Sequence, residues 1–137
     1  METIIDNEAV VKKDFSEDLS PYLVTKCPVT LTNLIIGGKW KPVIIHNVSR
    51  GIIRFGEMQR AMPGVSKKML TQELRDLERN GILNRKIFAQ IPPRVEYSLT
   101  ALGQATLPIL YSMAMWGLEY AKQLGVENWA TETPKST

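Results

Sequence analysis

Between residues 66 and 80, Lys68, Thr71, Gln72, Arg75 and Arg79 recur at helical spacing. Winding the segment at about 100° per residue gathers them on one face and sets Leu70, Leu74 and Leu77 on the other. Any amphipathic helix has a polar side, so the kinds of group decide what this one can do. Arg and Lys fit the O6 and N7 acceptors of guanine, Gln matches the donor and acceptor of adenine, and Thr offers a hydroxyl and a methyl. Ser66 and Lys67 stand at the helix start, where free N–H groups and positive charge suit a phosphate. That is the chemistry of reading duplex DNA. Glu73, Asp76 and Glu78 flank the face, and their expected role is pairing with Lys and Arg in the helix or at the core edge.

Cys27 is the second residue with reactive potential. It precedes Pro28 at a helix start and adjoins Lys26, and a helix N-terminus and a cation both favour the thiolate. The competing reading is a small apolar residue of the core; burial separates the two. A single cysteine excludes an internal disulfide, and with His46 as the only histidine no structural zinc site is expected. His46 lies in the apolar run "WKPVIIHNV" and reads as a satisfied, partly buried side chain. Gly37-Gly38 is too short to cradle phosphates. No catalytic constellation is visible, so neither enzyme activity nor a cofactor is expected.

The charge distribution agrees with a polyanion partner. Residues 1–20 carry a net −4, residues 21–99 a net +8 and residues 100–137 a net −1. A basic middle between acidic ends is what a DNA-binding surface leaves in a sequence. The acidic start lacks a signal peptide's order, and no apolar run approaches the roughly 20 residues that span a bilayer. The expectation is a cytoplasmic protein without a membrane partner.

Several elements must position these residues. Pro28 opens a first helix with Leu31, Leu34 and Ile35 on its apolar face, closed by Gly37-Gly38. A second follows with Trp40, Val43, Ile44 and Val48 inward, and a third runs from Arg54 to about Ala61 with Phe55 and Met58 inward. Pro63-Gly64 turns the chain, Ser66 caps the basic helix, and Asn80-Gly81 ends it. Two alternating segments follow. The first sets Leu83, Arg85, Ile87, Ala89 and Ile91 on one face; the second does the same with Val95, Tyr97 and Leu99. Pro92-Pro93 lies between them at a tip or edge, so the pair is a β-hairpin carrying Arg85, Lys86 and Arg94. Thr100 caps a return to helix, and Pro108 marks a break or a new first turn.

The last helix, running to about Leu124, bears two apolar stripes. One is Leu107, Leu110, Ala114, Leu118 and Ala121; the other is Ile109, Met113, Trp116, Tyr120 and Leu124. Packing on one neighbour needs one stripe, and the second implies another copy of the chain. Trp40 and Trp116 read as core or interface residues, and Trp129 as part of a polar tail. The domain reading is an arm over 1–24, one domain over 25–124 and the tail over 125–137.

Helix, turn, longer basic helix and basic hairpin make the winged helix-turn-helix order: mainly α with a small β-hairpin wing. The chain resembles the HxlR family of winged-helix transcription regulators, relatives of the MarR group. The resemblance rests on "CPVTLTNLIIGGKW" (27–40), "RFGEMQRAMPGVSKKMLTQELRDLERNGILNRKIF" (54–88), "PPRVEYSLTALG" (92–103) and "LPILYSMAMWG" (107–117). From 27 to 117 these runs span about two thirds of the chain; Gly56 departs from the family's pattern, standing where the family often has Asn. The resemblance implies homodimers on inverted-repeat operators, acting as repressors or activators, with the dimer built from the helix after Cys27 and the C-terminal helix. Leu31, Leu34, Leu110, Ala114, Leu118 and Ala121 are the interface residues expected on that plan. It also makes Cys27 the family's cysteine, which several members use to sense oxidants, quinones or aldehydes; a small-ligand pocket between dimer helices is a further implied feature.

The base contacts expected on this reading are Lys68, Thr71, Gln72 and Arg75, and the backbone contacts Ser66, Lys67, Lys86 and Arg94. Two other readings compete: a winged helix that binds protein, which would show little affinity for any duplex, and a weakly selective architectural DNA binder, which would take every duplex alike.

Overall fold

The computed structural model describes residues 26–126. In order these form α1 (Pro28–Ile36), α2 (Lys41–Ser49), α3 (Phe55–Ala61), α4 (Lys67–Arg79), β1 (Leu83–Phe88), β2 (Arg94–Leu99), α5 (Ala101–Gln104) and α6 (Leu107–Gln123). The arm over 1–24, Trp129 and all but the first two residues of the expected tail lie outside the described residues.

Local chemistry explains the boundaries. Pro28, Pro42 and Pro108 each sit in the first turn of their helix, where a backbone N–H would have no intrahelical acceptor and the donor that proline lacks is not missed. Pro108 therefore begins a new helix. The Gly37 N–H closes α1 on the Asn33 carbonyl at 2.8 Å. The Arg54 N–H donates to the Glu57 carboxylate at 3.3 Å, so α3 starts cleanly despite Gly56. Ser66 Oγ accepts the Met69 N–H at 3.0 Å, and Gly81, with φ of 78°, releases the chain from α4. Thr100 ties the end of the hairpin back to that point: its hydroxyl donates to the Gly81 carbonyl at 2.5 Å and accepts the Gly103 N–H at 2.9 Å.

Helix α2 is the hub, packing on α3, α4, α6 and β2. Its Ile44 and Ile45 are wholly buried, among Met58 and Met62 of the following segment, Leu70, Leu74 and Leu77 of α4, and Ile82 and Leu83 at the hairpin base. The leucine face of α4 thus does what its spacing predicts, each side chain contributing roughly 2 kcal/mol on burial. Strands β1 and β2 pair antiparallel from Leu83 opposite Leu99 to Phe88 opposite Arg94. The Tyr97 N–H reaches the Ile53 carbonyl at 3.0 Å, docking the hairpin on the segment before α3.

Three expectations are corrected. Val43 is 37% exposed, and the inward face of α2 is Ile44, Ile45 and Val48. β1 ends at Phe88, so Ala89 and Ile91 belong to the tip, and Ile91 is fully exposed. Leu110, expected at a dimer interface, is 6% exposed because it packs into the protomer's own core, and Ala121 of the same stripe, expected there too, is 2% exposed. Ala114 and Leu118 of that stripe are half-buried. The open stripe is the neighbouring one, Ile109, Met113, Trp116, Tyr120 and Leu124, each at least 43% exposed. No helix among the described residues is long and apolar enough to cross a membrane.

Candidate nucleic-acid interface

With its leucines seated on the core, α4 turns Ser66, Lys67, Lys68, Gln72 and Arg75 to solvent. Thr71 lies half-buried beside them, its hydroxyl donating to the Lys67 carbonyl at 2.7 Å. Of the three acidic residues, Glu73 and Asp76 form ion pairs. The Lys41 ammonium of α2 donates to Glu73 Oε1 at 3.0 Å and lies 3.5 Å from Asp76 Oδ2, with both the Lys41 and Glu73 side chains mostly buried. Asp76 also accepts from Gln72 Nε2 at 3.0 Å and from Arg79 at 3.4 Å. Arg79 is thereby held half-buried against Asp76, at the edge of the exposed face. Glu73 and Asp76 fasten α4 to α2, and Asp76 also borders the exposed face through Gln72.

The hairpin splits its basic residues between two faces. Register places Lys86, Phe88, Arg94 and Glu96 on one side and Leu83, Arg85 and Tyr97 on the other. On the first, the Lys86 ammonium and the Arg94 guanidinium lie 4.9 and 4.0 Å from the Phe88 ring centroid. Arg94 also meets Glu96 at 3.4 Å, and Arg54 approaches the same carboxylate at 3.4 Å. Lys86 is exposed, whereas Arg94 is half-buried and locally paired.

Arg85 is not among the contact residues expected from sequence. It shares its face with buried Leu83 and Tyr97 yet is itself exposed, because the strand leaves the core after Leu83. With Phe55, Thr71, Leu74, Arg75, Glu78 and Tyr97 it lines a cleft of about 240 Å³ between α4 and the wing. The alternation in "LNRKIF" carries the signal: Arg85 falls in phase with the core-facing positions, which directs it towards α4.

Cys27 stands at the N-cap position of α1 and is partly exposed, outside the core cluster. Its thiol is held below the ordinary cysteine range by hydrogen bonding to the Thr30 side chain first, then by backbone N–H groups of Thr30 and Val29, against an opposing effect of burial. The lowering comes from the first turn of α1, and Lys26 is not among its causes. Close by, Pro28, Val29, Thr32, Asn33, Ile36 and Gly37 face Ile109 and Met113 across an apolar groove of about 320 Å³. Leu31 and Leu34 are half-buried on the same helix. The groove continues into the open stripe of α6, where Trp116 and Tyr120 stack with centroids 5.1 Å apart.

Comparison with known proteins gives a consistent picture. A family profile described as HxlR-like helix-turn-helix matches residues 35–124. The HTH-type transcriptional regulator YdeP of Bacillus subtilis is 42% identical over 98 residues, covering 72% of this chain and 77% of that protein. Among solved structures, the redox regulator HypR in its reduced form is similar with a TM-score of 0.69 at 41% identity, covering 72% of this chain and 98% of the other. The reduced form of the transcriptional regulator YodB from B. subtilis follows at TM-score 0.61 and 32% identity, covering 71% and 96%.

Proposed function

The chain belongs to the HxlR-like helix-turn-helix family of DNA-binding transcription regulators, and from that membership we propose that it acts in the cytoplasm as a homodimer on an inverted-repeat operator. Each protomer lays α4 in a major groove, with Lys68, Thr71, Gln72 and Arg75 against base edges and Ser66 and Lys67 on phosphates at the helix start. Lys86 and Arg94 of the wing approach the flanking backbone. Regulation is by occupancy of the operator, with no catalytic step. The observation that carries this reading is the division of α4: leucines sealed in the core on one side, exposed Lys68, Gln72 and Arg75 on the other.

The second copy packs against the open α6 stripe and the α1 groove, which together would otherwise leave Val29, Met113 and Trp116 between 51% and 77% exposed. Two-fold symmetry then sets the recognition helices about one DNA turn apart. Cys27 serves as the sensor for oxidants or electrophiles. Its partial exposure and lowered pKa support a reactive thiol over an inert core residue, and its place beside the α1 groove supports coupling to the dimer.

Fluorescence anisotropy of the reduced protein on duplex from just upstream of its own gene, against unrelated duplex of equal length across a salt series, tests the reading. The expected result is tighter binding to the upstream duplex, with the preference surviving as salt rises. Equal affinity for both duplexes would favour the architectural reading, and no affinity for either would favour a protein partner.

A further inference from the structure

The cleft between α4 and the wing has a property that the exposed face of α4 does not account for. Arg75 from the helix and Arg85 from β1 both line it, each exposed, and neither makes a hydrogen bond or ion pair with any described residue. Glu78 lines the same cleft without pairing to either, so a net positive charge faces the opening. Lys41, Arg79 and Arg94, by contrast, are committed elsewhere: Lys41 to Glu73 and Asp76, Arg79 to Asp76, Arg94 to Glu96 and Phe88. Two guanidinium groups lining one cleft, neither neutralised by the single carboxylate there, are a receptor for an anion.

DNA geometry says which anion. A sugar–phosphate strand separates the major groove from the minor groove. If α4 enters the one and the wing lies over the other, that strand must run between them, and the cleft is the gap between these two elements. We propose that this cleft holds a backbone phosphate of the bound duplex, gripped chiefly by Arg85, while Arg75 reaches past it to a base edge. The inference rests on the DNA-reading role of α4 and adds Arg85 as a phosphate-binding residue that sets the depth of helix insertion. Tyr97 and Leu74 form the apolar floor, which lowers the local dielectric and strengthens the interaction.

The test is Arg85→Gln, at an exposed position where the fold is retained, compared with wild type by anisotropy on operator and unrelated duplex over a salt series. Removing one phosphate interaction lowers the slope of log K against log salt by about 0.9. For two protomers the slope should fall by about 1.8, equivalent to roughly 60-fold weaker binding at 0.1 M salt, on both duplexes alike. Arg85→Lys should restore most of the slope. An unchanged slope, or a loss confined to the operator, overturns the inference while leaving the regulator reading in place; wild type that binds no duplex overturns both. A final arm substitutes inorganic phosphate for chloride at constant ionic strength. If phosphate displaces duplex from wild type but not from Arg85→Gln while the slope is unchanged, the cleft takes a free anion and the DNA-backbone assignment falls.

Discussion

The link from α2 to the recognition helix is the most exposed to quantitative test. Lys41→Met keeps the aliphatic stem that packs at the start of α2 but removes the ammonium lying 3.0 Å from Glu73 and 3.5 Å from Asp76. The two carboxylates then fare differently. Asp76 keeps Gln72 and Arg79, whereas Glu73, with 14% of its side chain exposed, loses the hydrogen bond that compensates its burial. Leaving such a carboxylate unpaired costs about 1–3 kcal/mol. With an unfolding entropy of about 2.1 cal/mol/K per residue over a chain of this length, that is a fall in Tm of roughly 3–10 °C. Circular dichroism melts at one protein concentration would measure it. Adding Glu73→Gln to Lys41→Met should recover part of the loss, because the neutral amide no longer needs the cation. A coupling energy of about 0.5 kcal/mol or more is expected from the double-mutant cycle. A Lys41→Met variant that melts within about 2 °C of wild type, or a cycle that is strictly additive, would refute the claim that this pair fastens α4.

Three further outcomes are expected. Arg75→Ala should cost about 1–3 kcal/mol on the operator and relax discrimination at one position per half-site, whereas Lys67→Ala should weaken all duplexes equally and flatten the salt slope by about 1 per site; anisotropy on operator variants separates these, and like behaviour of the two would refute the division of roles. Trp116→Glu places a charge in the open stripe of α6 and should yield monomers by sedimentation velocity; a dimer that persists would remove this stripe from the interface. The pH profile of Cys27 alkylation by iodoacetamide should have its midpoint below that of the urea-unfolded chain, since Thr30 and the first turn of α1 favour the thiolate, and Thr30→Val should raise it. By linkage, the stabilisation from that thiolate is present above the unfolded thiol's pKa and is lost as pH falls through the folded value; coincident midpoints would refute a helix-start effect.

Most of the fold is legible in the sequence because its boundaries depend on local chemistry. Pro28, Ser66, Gly81, Thr100 and Pro108 each act through a missing donor, a capping oxygen or a left-handed turn within a few residues of themselves. The leucine phase of α4 is equally plain, since three side chains of one kind at helical spacing admit one inward direction. Alternation runs too far in "ILNRKIFAQI" because nothing in residue type marks where a strand leaves the core; Ile91 looks like a core residue and sits at the tip of a proline turn.

The stripes of α6 and the role of Arg85 escape a sequence reading for one shared cause. Both stripes are apolar and lie side by side, and helical periodicity finds each of them without ranking them. The choice is made by α2, whose Ile44 and Ile45 share the core cluster with Leu107 and Leu110, so Met113 and Trp116 are left facing outward. Arg85 is the converse case: a charged residue in phase with core positions reads as an exception to the pattern. Its meaning depends on what stands opposite, and that is Arg75, ten residues away in sequence across a turn. Helix phase and strand phase are each written locally. The cleft exists where the two phases meet, so the pairing of its arginines is a property of the tertiary packing that seats both elements on α2.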